Sequence, residues 1–183
     1  MKQEIGNRAG EAAAWHNLAA IDVHEGAYAP AREKFERSLK IEQEIGKRDG
    51  EAATWHNLAT IDLEEGAYAP AREKFERALK MKQEIGNRAG EAATFYQLGI
   101  LAAKLGKPET SLPLIALCFM IDQAIGHGDT EQDGRNLTAL SSSLNFKQEQ
   151  FDAMMQQTAE SYAQDRGASL LRQAFPEEPQ PPE

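Results

Sequence analysis

Cysteine is almost missing from this sequence. Cys118 stands alone, so no internal disulfide can staple the fold, and such usage fits a reducing compartment. Long apolar runs are missing as well: no stretch approaches the roughly eighteen residues of a membrane-spanning helix. The opening MKQEIGNRAG lacks the apolar core of a secretory leader, so a soluble cytoplasmic protein with no membrane partner is the expectation. Basic charge is in short supply, with 20 Lys and Arg against 29 Asp and Glu. The net charge of −9 opposes binding to phosphate backbones and anionic lipid, and nucleic acid is excluded as an expected partner. No G-x-S-x-G, P-loop, H-E-x-x-H or dinucleotide fingerprint occurs, so no residue argues for an enzyme or a cofactor. A metal site is not expected either. His16 and His24 lie about 12 Å apart along one helix, and His16 and His56 recur one repeat apart with no ligand beside them at metal-binding spacing.

What the sequence does have is repetition. Gly10 to Ala19 reads almost unchanged at Gly50 to Ala59 and again at Gly90 to Gly99. Residues 1–40 and 41–80 agree at 31 of 40 positions, and residues 81–93 copy 1–13 without a change, so the period is a duplication and not a chance likeness. A fixed period of this length marks a solenoid, in which no unit buries its apolar face alone.

The repeats carry a recognisable pattern. Trp15, Leu18, Ala19, Ala31 and Phe35 fall at the spacing W-x2-L-G followed by A-x3-F, as do Trp55, Leu58, Ala59, Ala71 and Phe75. Phe95, Leu98 and Gly99 continue it, with Ser111 and Ile115 replacing the later Ala and Phe. The chain thus resembles the tetratricopeptide repeat family, in the longer-period form of kinesin light chain, spindle-orientation scaffolds and many bacterial signalling proteins. The resemblance implies an all-α right-handed solenoid of helix pairs. Asp22, Asp62 and Ala102 replace the family's Tyr, and no Pro closes the second helix. Three repeats are expected over 1–126, a degenerate fourth repeat with capping helices over 127–175, and a disordered acidic Pro-rich tail over 176–183.

In chain order, Trp15, Leu18, Ala19 and Asp22 recur at helical spacing and predict a first helix from about Gly10 to Glu25, packed inside its pair through Trp15 and Leu18. On that basis Trp15→Ala or Trp55→Ala should cost about 3 to 5 kcal/mol. Tyr28, Ala31, Phe35, Ser38, Leu39 and Ile45 line the second helix as far as a cap at Gly46, with a solvated charged face opposite. Asp22 and Asp62, on the inner side, require a partner such as Tyr28, Tyr68 or an Arg of the adjoining unit. The helix after Ser111, LPLIALCFMIDQAI, is apolar nearly all round and must be covered on more than one side. Helices at about 130–144 and 148–165, a break near Asn145 and a short helix after Gly167 supply the cover, and Cys118 is expected to be an inert core thiol. Met1 to Gly6 match Met81 to Gly86, the end of a second repeat helix. That match predicts either an upstream extension of the reading frame or an open apolar N-terminal end that self-associates.

The remaining face of the first helices faces the concave groove of a stacked array. It carries an amide row, Asn17, Asn57 and Gln97, flanked by His16, His56 and Tyr96 and by Ala20, Thr60 and Ile100. An amide both donates and accepts, so such a row can hold the backbone of an extended peptide. The resemblance implies the same, since long-period family members carry an Asn at the matching place in contact with bound peptide. The amides can equally bond neighbouring helices to one another. A carboxylate clamp of the kind that binds chaperone C-termini is disfavoured, because no basic residue recurs on this face before Lys104. The expected function is a non-catalytic scaffold that binds a protein or peptide ligand in the groove. A self-assembling structural module, or a sensor arm cut from a larger bacterial signalling protein, is the alternative.

Overall fold

The structure, a computed structural model, describes residues 2–128 and 130–176; of the tail expected over 176–183, all but residue 176 lies outside them. The described residues form helices with no strand: α1 Lys2–His24, α2 Tyr28–Ile45, α3 Arg48–Glu64, α4 Tyr68–Glu84, α5 Arg88–Lys104, α6 Pro108–Ile125, α7 Thr130–Ser143, α8 Gln148–Asp165 and α9 Ala168–Ala174. Consecutive helix pairs make this an all-α solenoid fold. The chain divides into two compact units, Met1–Thr94 and Phe95–Glu183.

In the first unit α1 packs on α2, α3 on α4, and α2 on α3. Small residues set these contacts. Ala12, Ala19, Ala31, Ala52, Ala59 and Ala71 are fully buried, so helix backbones approach closely, and Ser38 Oγ donates to the Ala12 carbonyl at 2.8 Å across the α1–α2 contact. Phe35 and Phe75, 1% and 0% exposed, fill what the alanines leave. Leu58 and Ile61 of α3 join Ala19, Ala31, Phe35 and Leu39 in one cluster, so each new pair completes the core of the one before.

That dependence corrects the expected register at the first helix. Leu18, expected to pack inside its pair, is 47% exposed and its neighbour Ile21 is 54% exposed, while their copies Leu58 and Ile61 are 2% and 0% exposed. The side chains are the same; what differs is the preceding pair, which α3 has in α2. Leu58→Ala should therefore cost about 3 kcal/mol and Leu18→Ala less than about 0.5 kcal/mol. Urea melts of the two variants in parallel check this, and equal losses would refute the burial assigned to Leu18.

A second correction concerns the start of α1. Lys2 to Gly10 is identical to Lys82 to Gly90, yet the two copies fold differently. In the later copy α4 ends at Glu84, Gly86 turns to φ 71° and α5 starts at Arg88; in the earlier one the helix runs on through Gly6. The later turn is anchored from outside itself. Asn87 Oδ1 accepts from Gly90 N–H at 2.8 Å, Asn87 Nδ2 donates to Asp49 at 2.7 Å, and Lys82 Nζ donates to Thr94 Oγ1 at 2.9 Å. The place of Thr94 is taken in the first repeat by Ala14, which has no hydroxyl to offer.

The buried carboxylate of Asp62 is paired as expected, with an Arg of the adjoining pair: Arg32 reaches it at 2.7 Å and Lys74 bonds its other oxygen. Asp22 is bonded by Lys34, so in both repeats the carboxylate is met by a basic side chain and not by the Tyr also considered.

In the second unit α6 is covered by α7, α8 and α9, which is what its near-continuous apolar sequence requires. Leu112 and Ala116 form a core with Leu137 of α7 and Met154 of α8, and Leu170 and Ala174 of α9, with Phe175 just after it, are buried as well. Asn145, at φ 60°, makes the break between α7 and α8. Cys118 is half-buried, not fully enclosed, and its Sγ lies 3.4 Å from Asp122 Oδ2.

Candidate functional site

The first unit holds a small pocket of about 90 Å³ lined by Ala20 and Val23 of α1, Phe35 of α2, and Asn57 and Thr60 of α3. Phe35 lines it from below while remaining 1% exposed, so the open apolar surface comes chiefly from the short Ala20 and Val23 side chains. In the next copy Thr60 and Leu63 replace them, and Leu63 is 2% exposed, so it joins the core instead of lining the groove. Three of the residues singled out from sequence, Ala20, Asn57 and Thr60, thus meet at one pocket.

Their polar neighbours are ordered. Asn57 Nδ2 lies 3.1 Å from His16 Nε2, and His16 Nδ1 lies 3.0 Å from Thr54 Oγ1. Thr54 in turn donates to Glu42 Oε2 at 2.8 Å. His16 also sets its edge against Phe35, with ring centroids 5.1 Å apart. Burial, helped by Lys47, lowers the His16 pKa from its ordinary value. Glu42, 2% exposed, is pushed up by burial against the lowering effect of its Thr54 hydrogen bond.

His56 repeats the arrangement one unit later. Its Nδ1 is 3.1 Å from Thr94 Oγ1 and its ring meets Phe75 at 5.3 Å. Burial and the charge of Lys82 push His56 down to about 3. Asn17 is exposed. Gln97 and Ile100 are half-buried and Tyr96 is 45% exposed, all three in the second unit. His16 and His56 are therefore hydrogen-bonded parts of the stack as well as neighbours of the groove.

Sequence reasoning missed Glu42 and Thr54. The signal was present: against a background of near identity, positions 14, 54 and 94 read Ala, Thr, Thr, and positions 42 and 82 read Glu, Lys. Those substitutions sit where one helix pair meets the next.

A larger open groove of about 630 Å³ lies in the second unit, walled by Phe119, Leu137, Phe151 and Met155. Its polar rim is already bonded within α7: Thr138 Oγ1 donates to the Gly134 carbonyl at 2.9 Å and Ser142 Oγ to the Thr138 carbonyl at 2.9 Å. The small pocket, though a fraction of the size, is the one with an oriented amide at its rim. Among the described residues no group of three His, Cys, Asp or Glu side chains is placed to hold a metal ion, and no helix is long and apolar enough to cross a membrane.

Comparison with known proteins agrees with this architecture. The solved structure titled BtubC (BKLC) from P. vanneervenii superposes with a TM-score of 0.63 at 23% identity, covering 94% of this chain and 67% of that one. At that identity the likeness is one of fold. No curated protein matches the chain. A tetratricopeptide repeat family matches residues 10–84, the stretch that holds the pocket, its histidines and both buried phenylalanines. Over those residues the chain is similar to the tetratricopeptide repeat family.

Proposed function

We propose that the chain is a non-catalytic interaction module that binds an extended segment of a protein partner along the face of its first unit that carries Asn17 and Asn57. The repeats of the first unit would hold the ligand, and residues 127–175 would cap the α5–α6 pair of the second. The observation that carries the reading is the small pocket where Ala20, Val23 and the largely buried Phe35 give an apolar lining and Asn57 adds an amide to it. An apolar recess beside a backbone-matching amide is what recognition of an extended peptide requires: one takes a side chain, the other a main-chain group. The repeat family supports this at the coarser level, since its members generally mediate protein–protein interaction. The net charge of −9 favours a protein partner over nucleic acid.

A second reading rests on Leu18 and Ile21, whose exposure leaves an apolar face at α1 that a second copy could cover. One experiment separates the two. The parent and a variant carrying Asn17→Ala, Asn57→Ala and Gln97→Ala, matched for helicity, are used as bait in a lysate of the source cells together with a differently tagged copy of the chain. Capture of a partner by the parent, reduced at least about tenfold in the variant, is expected. A partner held equally by both baits would refute the groove reading, and capture of the tagged copy alone would establish self-assembly.

A further inference from the structure

The hydrogen bonds around Asn57 have a direction, and it can be followed from one end. A threonine hydroxyl carries one hydrogen, and that of Thr54 points at Glu42 Oε2, 2.8 Å away. The oxygen of Thr54 must then accept from His16 Nδ1 at 3.0 Å, so Nδ1 carries the imidazole hydrogen. In the neutral ring Nε2 is left as an acceptor, and Asn57 Nδ2 at 3.1 Å donates to it. The amide nitrogen of Asn57 is thereby turned to His16 and its Oδ1 is turned away. Gly50 makes the first link possible: a Cβ there would stand 2.5 Å from Glu42 Oε1, so any larger residue displaces the carboxylate.

We propose that Glu42, Thr54 and His16 are positioning residues that hold the Asn57 amide with Oδ1 presented to the pocket, so that the site selects a backbone N–H donor beside a small aliphatic side chain. The ligand half of this rests on the peptide reading of the groove; the relay does not. A pocket of about 90 Å³ is smaller than the roughly 150 Å³ that accommodates benzene in an engineered protein cavity, which favours a valine-sized side chain over an aromatic one. Protonating His16 turns Nε2 into a donor, and Asn57 must then reverse its amide and offer hydrogens to the pocket instead. The charged groups around His16 are Glu42 of α2 beyond Thr54, Glu51 of α3 acting on Glu42, and Lys47 on the turn between them. Burial and Lys47 both disfavour the imidazolium, so the acceptor form holds at neutral pH and the reversal belongs to acid.

The test is nuclear magnetic resonance on the ¹⁵N-labelled full chain. Long-range ¹H–¹⁵N correlations should show His16 as the Nδ1–H tautomer at neutral pH, with that preference lost in Thr54→Val and Gly50→Ala and kept in Asn57→Ala. The probes are acetyl-Ala-Val-Ala N-methylamide and its analogue with an ester in place of the amide that follows Val. The parent should bind the amide about tenfold more tightly than the ester, and Thr54→Val should lose the discrimination. An Nε2–H tautomer in the parent, or equal binding of the two probes, would overturn the proposal. If neither probe perturbs Asn57 while the tautomer and its dependence on Thr54 are as expected, the relay is upheld and the peptide reading of the groove fails.

Discussion

Phe75→Ala is expected to lower the stability of the chain by about 3 to 5 kcal/mol, and Trp55→Ala by only about 1 to 2 kcal/mol, the reverse of what residue size suggests. Phe75 is 0% exposed and its ring meets that of His56 edge to face, with centroids 5.3 Å apart. Truncating so completely enclosed a ring leaves a cavity in the core of its pair, and that cavity adds to the lost transfer energy. Trp55 is half-buried. Its outer face is covered by the Arg77 guanidinium, 4.2 Å from the ring centroid, and its Nε1 lies 3.4 Å from Glu51 Oε1. Truncating it removes partial burial and a stacking contact, and the long Arg77 side chain can settle into the vacancy. Trp15, with Arg37 at 4.8 Å, is built the same way. Chemical denaturation of both variants followed by far-UV circular dichroism decides the matter. If Trp55→Ala lost as much as Phe75→Ala, the assignment of the phenylalanines as the anchors of the pair would be wrong.

The expectation that the tryptophans anchor the pairs shows where sequence reading stops. The period, the glycine turns and the helical spacing rest on local rules, and they give the helices well: α8 spans 148–165 in the expectation and in the structure alike, and the break at Asn145 and cap at Gly46 fall where the chain signals them. Which side of a helix is inside depends on the neighbouring pair. Leu18 and Leu58 sit in nearly identical sequences and differ in exposure because only one has a helix pair before it. Lys2 to Gly10 and Lys82 to Gly90 carry that lesson to the backbone, one sequence in two conformations.

The candidate site divides in the same way. Ala20, Asn57 and Thr60 were legible from register alone, since helix periodicity puts them on one face. The relay behind Asn57 was not, because Glu42, Thr54 and His16 come from three different helices, and their meeting depends on how α2 and α3 pack. Near-identical repeats hide such contacts further: a Glu at 42 and a Lys at 82 look like drift until both are seen to bond a threonine of the following helix.

Those junction residues also make stability depend on pH in both directions. His56 is held to about 3, against an ordinary value of 6.5, so between those values the unfolded chain binds a proton that the folded one does not. Stability is therefore full above about pH 6.5 and falls as the solution is acidified, by about 2 kcal/mol at pH 5 and by about 5 kcal/mol as an upper bound near pH 3. Lys82 is displaced to about 8 from 10.5, chiefly by burial, so here too the unfolded chain binds the extra proton, but at alkaline pH. Stability should rise between pH 8 and 10.5 by as much as about 3 kcal/mol as the buried ammonium ceases to be a penalty. The two groups share an oxygen: His56 Nδ1 and Lys82 Nζ both bond Thr94 Oγ1, whose own hydrogen goes to the Gly90 carbonyl at 2.8 Å. A protonated His56 would thus set a second cation on an atom that already holds one. Lys82→Met, which keeps the length of the side chain and leaves Thr94 its bond to Gly90, should raise stability at pH 7 by about 1 to 3 kcal/mol and abolish the alkaline rise. His56→Gln should flatten the acid limb and leave the alkaline one in place. Urea midpoints of parent, Lys82→Met and His56→Gln at pH 5, 7 and 10 test both limbs together. A parent whose midpoint does not move between pH 7 and 10, or an Lys82→Met variant less stable than the parent at pH 7, would show that Lys82 is not held as a buried cation at the α4–α5 turn.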